Sequence, residues 1–127
     1  TVHGFNLSRF NSISGNKFTV KLEDEPRFLS KTKVAFKVSL YDTRRVAKQE
    51  KILNFIVKES GLCLGVIQWI GLQIFKNIRY ENKPGERDSH WPTPIYLFDK
   101  PVEVLEGQTL KIKATLFEDS VWFTHLK

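Results

Sequence analysis

The feature that most constrains this chain is the alternation of apolar and polar residues in short stretches. In TLKIKATLF (109–117), Leu110, Ile112, Ala114 and Leu116 alternate with lysines and a threonine. Successive side chains of a β-strand point to opposite faces, so a period of two is typical of a strand with one buried and one solvated face. Such a pattern does not place its apolar residues on one side of a helix.

Similar stretches recur at short intervals and predict an all-β fold. KVAFKVSLY (33–41) is the clearest of them, and the turns between strands include Glu106-Gly107 and Glu118-Asp119. About seven to eight strands at this spacing are typical of an antiparallel β-barrel or sandwich. The predicted strands are 17–22, 33–41, 52–59, 62–75, 94–98, 102–105, 109–117 and 120–126, with a break at 99–101.

The stretch LCLGVIQWIGLQIF (62–75) is apolar on both faces. This is typical of a strand buried on both sides, and a buried helix is the alternative. Its β-branched residues and two glycines favour the strand, with bulges or bends at Gly65 or Gly71. Cys63 and Trp69 are predicted core residues. The following segment, 77–89, is predicted to be a long polar loop with a turn at Pro84-Gly85.

The chain has the length of one domain. Residues 1–16 form a polar segment that we interpret as a lead-in linker, and 17–127 form a single β-barrel or sandwich domain. The sequence contains no Met, which favours a fragment of a longer protein.

The net charge of +6 lies in the first half of the chain. Residues 1–60 carry 12 Lys/Arg and 6 Asp/Glu, whereas residues 61–127 carry 8 of each. A basic face for nucleic acid or for an acidic protein is one interpretation. A solvated, lysine-rich surface is the favoured one, because no basic run is interleaved with aromatics as in a stacking platform.

Other function classes find little support in the sequence. Cys63 is the single cysteine, which excludes an internal disulfide, and one Cys with three scattered His does not fit a zinc site. His3 and His125 are predicted surface or terminal residues. No apolar run has the length of a membrane helix, and no glycine-rich loop for a nucleotide cofactor is present.

A block near the C-terminus is more specific. Ser89-His90-Trp91 ends the polar loop, and a strand with Ile95-Tyr96-Leu97 follows. Then come Pro101-Val102-Glu103-Val104, Gly107 and Leu110. This block resembles the C-terminal β-barrel of the protein arginine methyltransferases, in which the loop ends in Thr-His-Trp. Upstream, FLSKTKVAFKVSL is similar to the first barrel strands, so the resemblance covers about residues 26–117.

The resemblance implies roles for three residues in a substrate cleft. His90 would pair with a carboxylate on the catalytic domain, Trp91 would form part of the pocket wall, and Ser89 would help to fix the loop. Ser89 stands where the family usually has Thr, and Pro92 stands where Lys or Gly is usual. The alternative interpretation is that His90 and Trp91 are packing anchors at the start of a strand.

The resemblance also implies what this chain does not carry. The S-adenosyl-L-methionine site and the two active-site glutamates belong to an N-terminal domain of the family that is missing here. We therefore expect no catalytic, cofactor-binding or metal-binding residue in this chain and no activity from it alone.

The implied partners are the missing methyltransferase domain, a protein substrate and a second copy of the chain. No helical dimerisation arm of the family's length is evident. No membrane partner is expected. The expected location is cytoplasmic.

Three hypotheses of function remain. The first is an accessory, substrate-binding domain of a methyltransferase that acts on protein arginines. The second is a free-standing β-sandwich module that binds an acidic protein or nucleic acid. The third is a structural domain of a degenerate methyltransferase.

Overall fold

The computed structural model describes residues 17–20, 25–41, 47–85 and 91–127. None of these residues is helical, and every strand pairing among them is antiparallel. The prediction of an all-β fold with about seven to eight strands is confirmed, whereas the lead-in segment 1–16 lies outside the described residues. The strands are β1 (Lys17–Val20), β2 (Gln49–Ile56), β3 (Gly61–Ile67), β4 (Gly71–Phe75), β5 (Ile78–Glu81), β6 (Thr93–Val104), β7 (Thr109–Phe117) and β8 (Ser120–Leu126).

The strands form three sheets, in the orders β1-β6-β3, β2-β7-β8 and β4-β5. The two three-stranded sheets pack through aromatic side chains of β6 and β8. The rings of Tyr96 and Phe123 lie 5.1 Å apart, and those of Phe98 and His125 lie 5.3 Å apart. His125, predicted to be a surface or terminal residue, is partly buried near the C-terminal end of the sequence, and its ring packs against Phe98.

The core follows the alternation of β7. Its four predicted inward residues, Leu110, Ile112, Ala114 and Leu116, are all buried, whereas Lys111 between them is exposed. Burial of such side chains stabilises the fold by about 25 cal/mol for each Å² of apolar surface removed from water. The central buried cluster consists of Val57, Val104, Leu110 and Ile112, with Leu29, Phe55, Cys63, Val66, Phe98, Val102 and Phe123 packed against it.

Strand β6 runs through the break that was predicted at residues 99–101. Cys63 lies opposite Val102 and Gly65 opposite Leu97, so that Leu64 alone faces the four residues 98–101. The turn-forming sequence is thus accommodated as a bulge inside a continuous strand. A Cβ at Gly65 would lie 2.1 Å from the carbonyl oxygen of Tyr96, so the close approach of the two strands requires glycine.

The apolar stretch 62–75 differs from its prediction in two ways. It forms two strands, β3 and β4, with an interruption at residues 68–70. Leu62 and Leu64 are 54% and 51% exposed, so burial on both faces is wrong for β3. Hydrophobicity reports which side chains would gain from burial, but it does not report whether a second layer covers them.

The predicted strand 33–41 is wrong within the described residues. Residues 31–39 have no strand assignment, and Val34 and Leu40 are exposed. The segment runs beside β2. An isolated antiparallel bridge between Ser30 and Val57 joins the two. A strand needs a hydrogen-bonded neighbour, and side-chain alternation alone does not supply one.

Two predicted turns are confirmed. Gly107 has φ 84° in the turn between β6 and β7, a left-handed conformation that glycine adopts without steric cost. Glu118 adopts φ 54° between β7 and β8, where a non-glycine residue is strained. Residues 42–46 lie outside the described residues, and residues 49–51 belong to β2.

Candidate functional site at the stem of the 82–92 loop

The polar loop that was predicted for residues 77–89 begins later than expected. Residues 78–81, interpreted from sequence as part of a polar loop, form β5 and pair with β4. Leu72 lies opposite Tyr80, and Gly71 lies opposite Glu81. The connection between β5 and β6 is therefore residues 82–92, and the predicted turn at 84–85 lies within it.

Asn82 holds together the two ends of this loop. Its side-chain oxygen accepts a hydrogen bond from the Ile70 amide at 2.7 Å, and its Nδ2 donates to the Pro92 carbonyl at 3.2 Å. Its own carbonyl accepts the Thr93 hydroxyl at 2.8 Å. Asn82 is only 3% exposed, and a buried amide without partners would cost about 1–3 kcal/mol. The loop therefore begins and ends at fixed points.

A second tie connects the start of β6 to the end of β3. The Gln68 amide donates to the Pro94 carbonyl at 2.9 Å, and the Tyr96 hydroxyl donates to Gln68 Oε1 at 2.9 Å. Tyr96 is buried between the two large sheets. The loop stem is thus connected to the core through a side chain that packs at its ring and hydrogen-bonds at its tip.

Trp69 contacts the β5 side of the same loop stem, by which we mean the residues around Asn82 and Thr93 at the two ends of the loop. Its indole Nε1 donates to Glu81 at 3.0 Å, and its ring meets Phe28 with centroids 6.0 Å apart. Glu81 also faces the Arg79 guanidinium at 3.8 Å. Trp69 was predicted to be a core residue, and it is partly buried with a satisfied N–H.

Trp91 is the one of the three predicted cleft residues that the structure describes. It is 50% exposed, and its ring meets Tyr80 edge to face at 5.4 Å with an interplanar angle of 69°. This geometry is the favoured one for two aromatic rings. It holds the indole in place while half of its surface stays accessible.

Ser89 and His90 lie outside the described residues, as do Glu86, Arg87 and Asp88. The described stem fixes Pro92 and Thr93, and Trp91 connects this stem directly to His90 in the chain. A half-exposed indole can stack against a planar cation.

The described residues contain no group of three His, Cys, Asp or Glu side chains placed to hold a metal ion. Within the same ranges, no helix could span a membrane. Cys63 is half-buried beside the core, and burial raises the pKa of its thiol. A desolvated thiol of this kind is a poor nucleophile at neutral pH.

Comparison with known proteins identifies relatives of the chain. It is 31% identical over 117 residues to an arginine N(omega)-methyltransferase of Streptomyces achromogenes subsp. streptozoticus, a match that covers 89% of this chain and 32% of the relative. The chain is a relative of the protein arginine N-methyltransferases. Protein arginine N-methyltransferase 2 of Xenopus tropicalis is 25% identical over 93 residues, covering 66% of this chain and 21% of that protein. No protein-family model matches.

The chain spans about a third of the length of the Streptomyces protein and about a fifth of the Xenopus protein. The resemblance that was assigned from the His-Trp block and its downstream strands is confirmed at the level of the family.

Sequence reasoning missed the residues that build the stem, namely Gln68, Tyr80 and Asn82. Asn82 lay inside a segment interpreted as a solvated loop, where asparagine is common and attracts no notice. The alternation of Ile78 and Tyr80 was the available signal for β5, but it spans only four residues.

Proposed function

We propose that this chain is the substrate-binding accessory β-domain of an S-adenosyl-L-methionine-dependent protein arginine methyltransferase. Its 82–92 loop faces the active-site cleft against a methyltransferase domain. The observation that carries the proposal is the set of hydrogen bonds that joins Asn82 to Ile70, Pro92 and Thr93, which we call the Asn82 clamp. A loop that is fixed at both ends can hold binding residues in a constant position. Half-exposed Trp91 beside this clamp supports the same role.

The three cleft residues have different tasks in this proposal. His90 donates a hydrogen bond to a carboxylate of the methyltransferase domain and orients it. Trp91 offers its indole face to the substrate guanidinium, and Ser89 helps to fix the loop. Methyl transfer itself needs the sulfonium donor and carboxylates of the other domain. This chain contributes binding and orientation.

The substrate group in this proposal is the guanidinium of arginine. Both relatives have arginine in their names, one as arginine and one as protein arginine. We propose a protein-bound arginine. A methyl-transfer assay with free arginine beside an arginine-containing peptide separates the two substrates.

A first test concerns the cofactor. In this proposal the chain alone holds no S-adenosyl-L-methionine, so calorimetric titration of the 127-residue chain should give no binding heat. Clear saturable binding would contradict an accessory role, because the cofactor site would then lie in this chain.

A second test concerns His90. In a protein that carries this chain together with a methyltransferase domain, His90→Ala should lower kcat/KM by about tenfold or more, since the catalytic carboxylate loses its orientation. The melting temperature should not change. His3→Ala is the matched control and should retain full activity. Equal turnover of His90→Ala and the parent would make His90 a packing residue.

A further inference from the structure

An open slot lies between β2 and the segment that runs beside it. The bridge between Ser30 and Val57 closes one end, where the Lys58 amide donates to the Leu29 carbonyl at 2.8 Å. Beyond this point residues 33–37 form one wall and residues 49–54 the other, around two cavities of about 390 and 310 Å³. We call this space the β2 slot. Consecutive residues line both of its walls, so backbone faces the space from each side.

The outer edge of β2 directs hydrogen-bonding groups into the slot. The Val57 amide donates to Gln108, on the side of β7, whereas the Lys58 amide points the opposite way. The β2–β7 register runs without a shift from Gln49 to Ile56. Alternation therefore directs the backbone groups of Glu50, Ile52 and Asn54 into the slot. No described residue forms a backbone hydrogen bond with these outward groups.

Residues 33–37 do not pair with β2 through the backbone. Lys51 crosses the slot with its side chain, and its Nζ donates to the Val34 carbonyl at 3.5 Å. Paired strands lie about 4.8 Å apart, a distance at which backbone groups bond directly. Here a single lysine side chain spans the two segments in place of backbone pairing, so an added strand has to displace one exposed hydrogen bond of 3.5 Å.

The charge of the slot selects its occupant. Lys33, Lys37 and Lys51 line the slot and are exposed. Glu50 is the acidic residue among the lining residues, and it already faces Lys48 at 3.5 Å and Lys113 at 3.9 Å. The positive charge of the slot is therefore largely uncompensated by the residues that line it.

We propose that the β2 slot binds an extended acidic segment of a partner protein as an added β-strand. Its backbone pairs with the outward groups of Ile52 and Asn54, and its carboxylates contact the lysines. Apolar residues at alternate positions of the segment pack on the exposed side chains of Val34 and Ile52. This proposal is independent of the methyltransferase role, because the slot shares no residue with the 82–92 loop.

The probe is an acetylated, amidated hexapeptide of alternating glutamate and valine, titrated into the ¹⁵N-labelled 127-residue chain. Binding should shift the amide signals of Glu50, Ile52 and Asn54 and slow their hydrogen exchange at least tenfold. A peptide with lysine in place of glutamate should not bind. A glutamate peptide N-methylated at alternate amides, on the edge that would pair with β2, should bind at least tenfold more weakly.

A pair of double variants tests the role of charge. Lys33→Glu with Lys51→Glu should weaken the glutamate peptide by about tenfold, since two attractions become repulsions. Lys76→Glu with Lys100→Glu changes the net charge equally at exposed positions outside the slot and should have little effect. Equal weakening by both pairs, or binding of the lysine peptide, would overturn the proposal. So would exchange protection of Ile52 and Asn54 in the free chain, because residues 33–38 would then already pair with β2.

Discussion

Ile70 and Asn82 hold each other through two hydrogen bonds. The Ile70 amide donates to Asn82 Oδ1 at 2.7 Å, and the Asn82 amide donates to the Ile70 carbonyl at 3.2 Å. Ile70 directly precedes β4 and Asn82 directly follows β5, so this pair closes the open end of the β4–β5 hairpin. The remaining groups of Asn82 bind the far end of the loop at Pro92 and Thr93.

Replacing Asn82 should therefore release the loop. Asn82→Ala leaves the Ile70 amide and the Pro92 carbonyl without their partner, and we expect unfolding free energy to fall by about 2–3 kcal/mol. Urea denaturation checks this value. Asn54→Ala, at an exposed position of β2, is the matched control and should stay within about 0.5 kcal/mol of the parent. If Asn82→Ala lowered the unfolding free energy no more than Asn54→Ala does, the clamp would not contribute to stability.

Gly65 should tolerate no side chain. A Cβ there meets the Tyr96 carbonyl oxygen at 2.1 Å, so Gly65→Ala must push β3 away from β6, at a cost of about 3 kcal/mol or more. At Gly61 the nearest atom lies 3.5 Å away, on the flexible side chain of Leu29. Gly61→Ala should hence change the melting temperature little. Similar melting temperatures for the two variants would contradict the close approach at Gly65.

The ring pair of Tyr80 and Trp91 should show energetic coupling. A double-mutant cycle with Tyr80→Ala and Trp91→Ala should give an interaction of about 0.5–1.5 kcal/mol, the range for edge-to-face aromatic pairs. In the cycle, the free-energy contributions of the other contacts that each ring makes cancel. Phe28→Ala combined with Trp91→Ala serves as the uncoupled control, because Phe28 contacts Trp69. Strict additivity for Tyr80 and Trp91 would mean that the indole is not held by that ring.

Cys63 should make stability depend on pH in the alkaline range. Burial raises the pKa of its thiol in the folded chain, so the folded state binds the proton more tightly than the unfolded state. Its contribution to stability is complete below the unfolded pKa and is lost as pH rises through the folded pKa. Cys63→Ala should therefore show a shallower alkaline decline in unfolding free energy. The same decline in both proteins would assign it to other groups.

The structure was predicted best from sequence where local residue patterns determine it. Strand β7 alternates over nine residues and lies between β2 and β8 in its sheet, and its inward residues Leu110 and Ile112 pack in the core with Val104 of β6. Strand β8 and both turns around β7 were also predicted correctly. Side-chain periodicity and turn residues are local properties, so local reasoning recovers them.

The failures concern partners that the sequence does not reveal. Residues 33–39 alternate as clearly as β7, yet no described strand pairs with them. Trp91 was predicted as a site residue and is half-exposed, whereas its ring contact with Tyr80 and the bond from Asn82 to the adjacent Pro92 join separate segments of the chain. Hydrogen-bond registration and layer packing are set by the whole fold, so they cannot be predicted from one stretch.

The bulge opposite Leu64 divides β6 into two parts that pair separately with β3. Residues 93–97 keep register with β1 and the end of β3, and residues 102–104 keep register with its beginning. The four intervening residues have one counterpart, so the chain length between the halves is not fixed by pairing. A deletion or insertion within 98–101 can change that length while Leu97 stays opposite Gly65 and Val102 opposite Cys63. Pairing with β3 therefore does not set the number of residues in this segment, whereas the packing of Phe98 against His125 holds its first residue in the core.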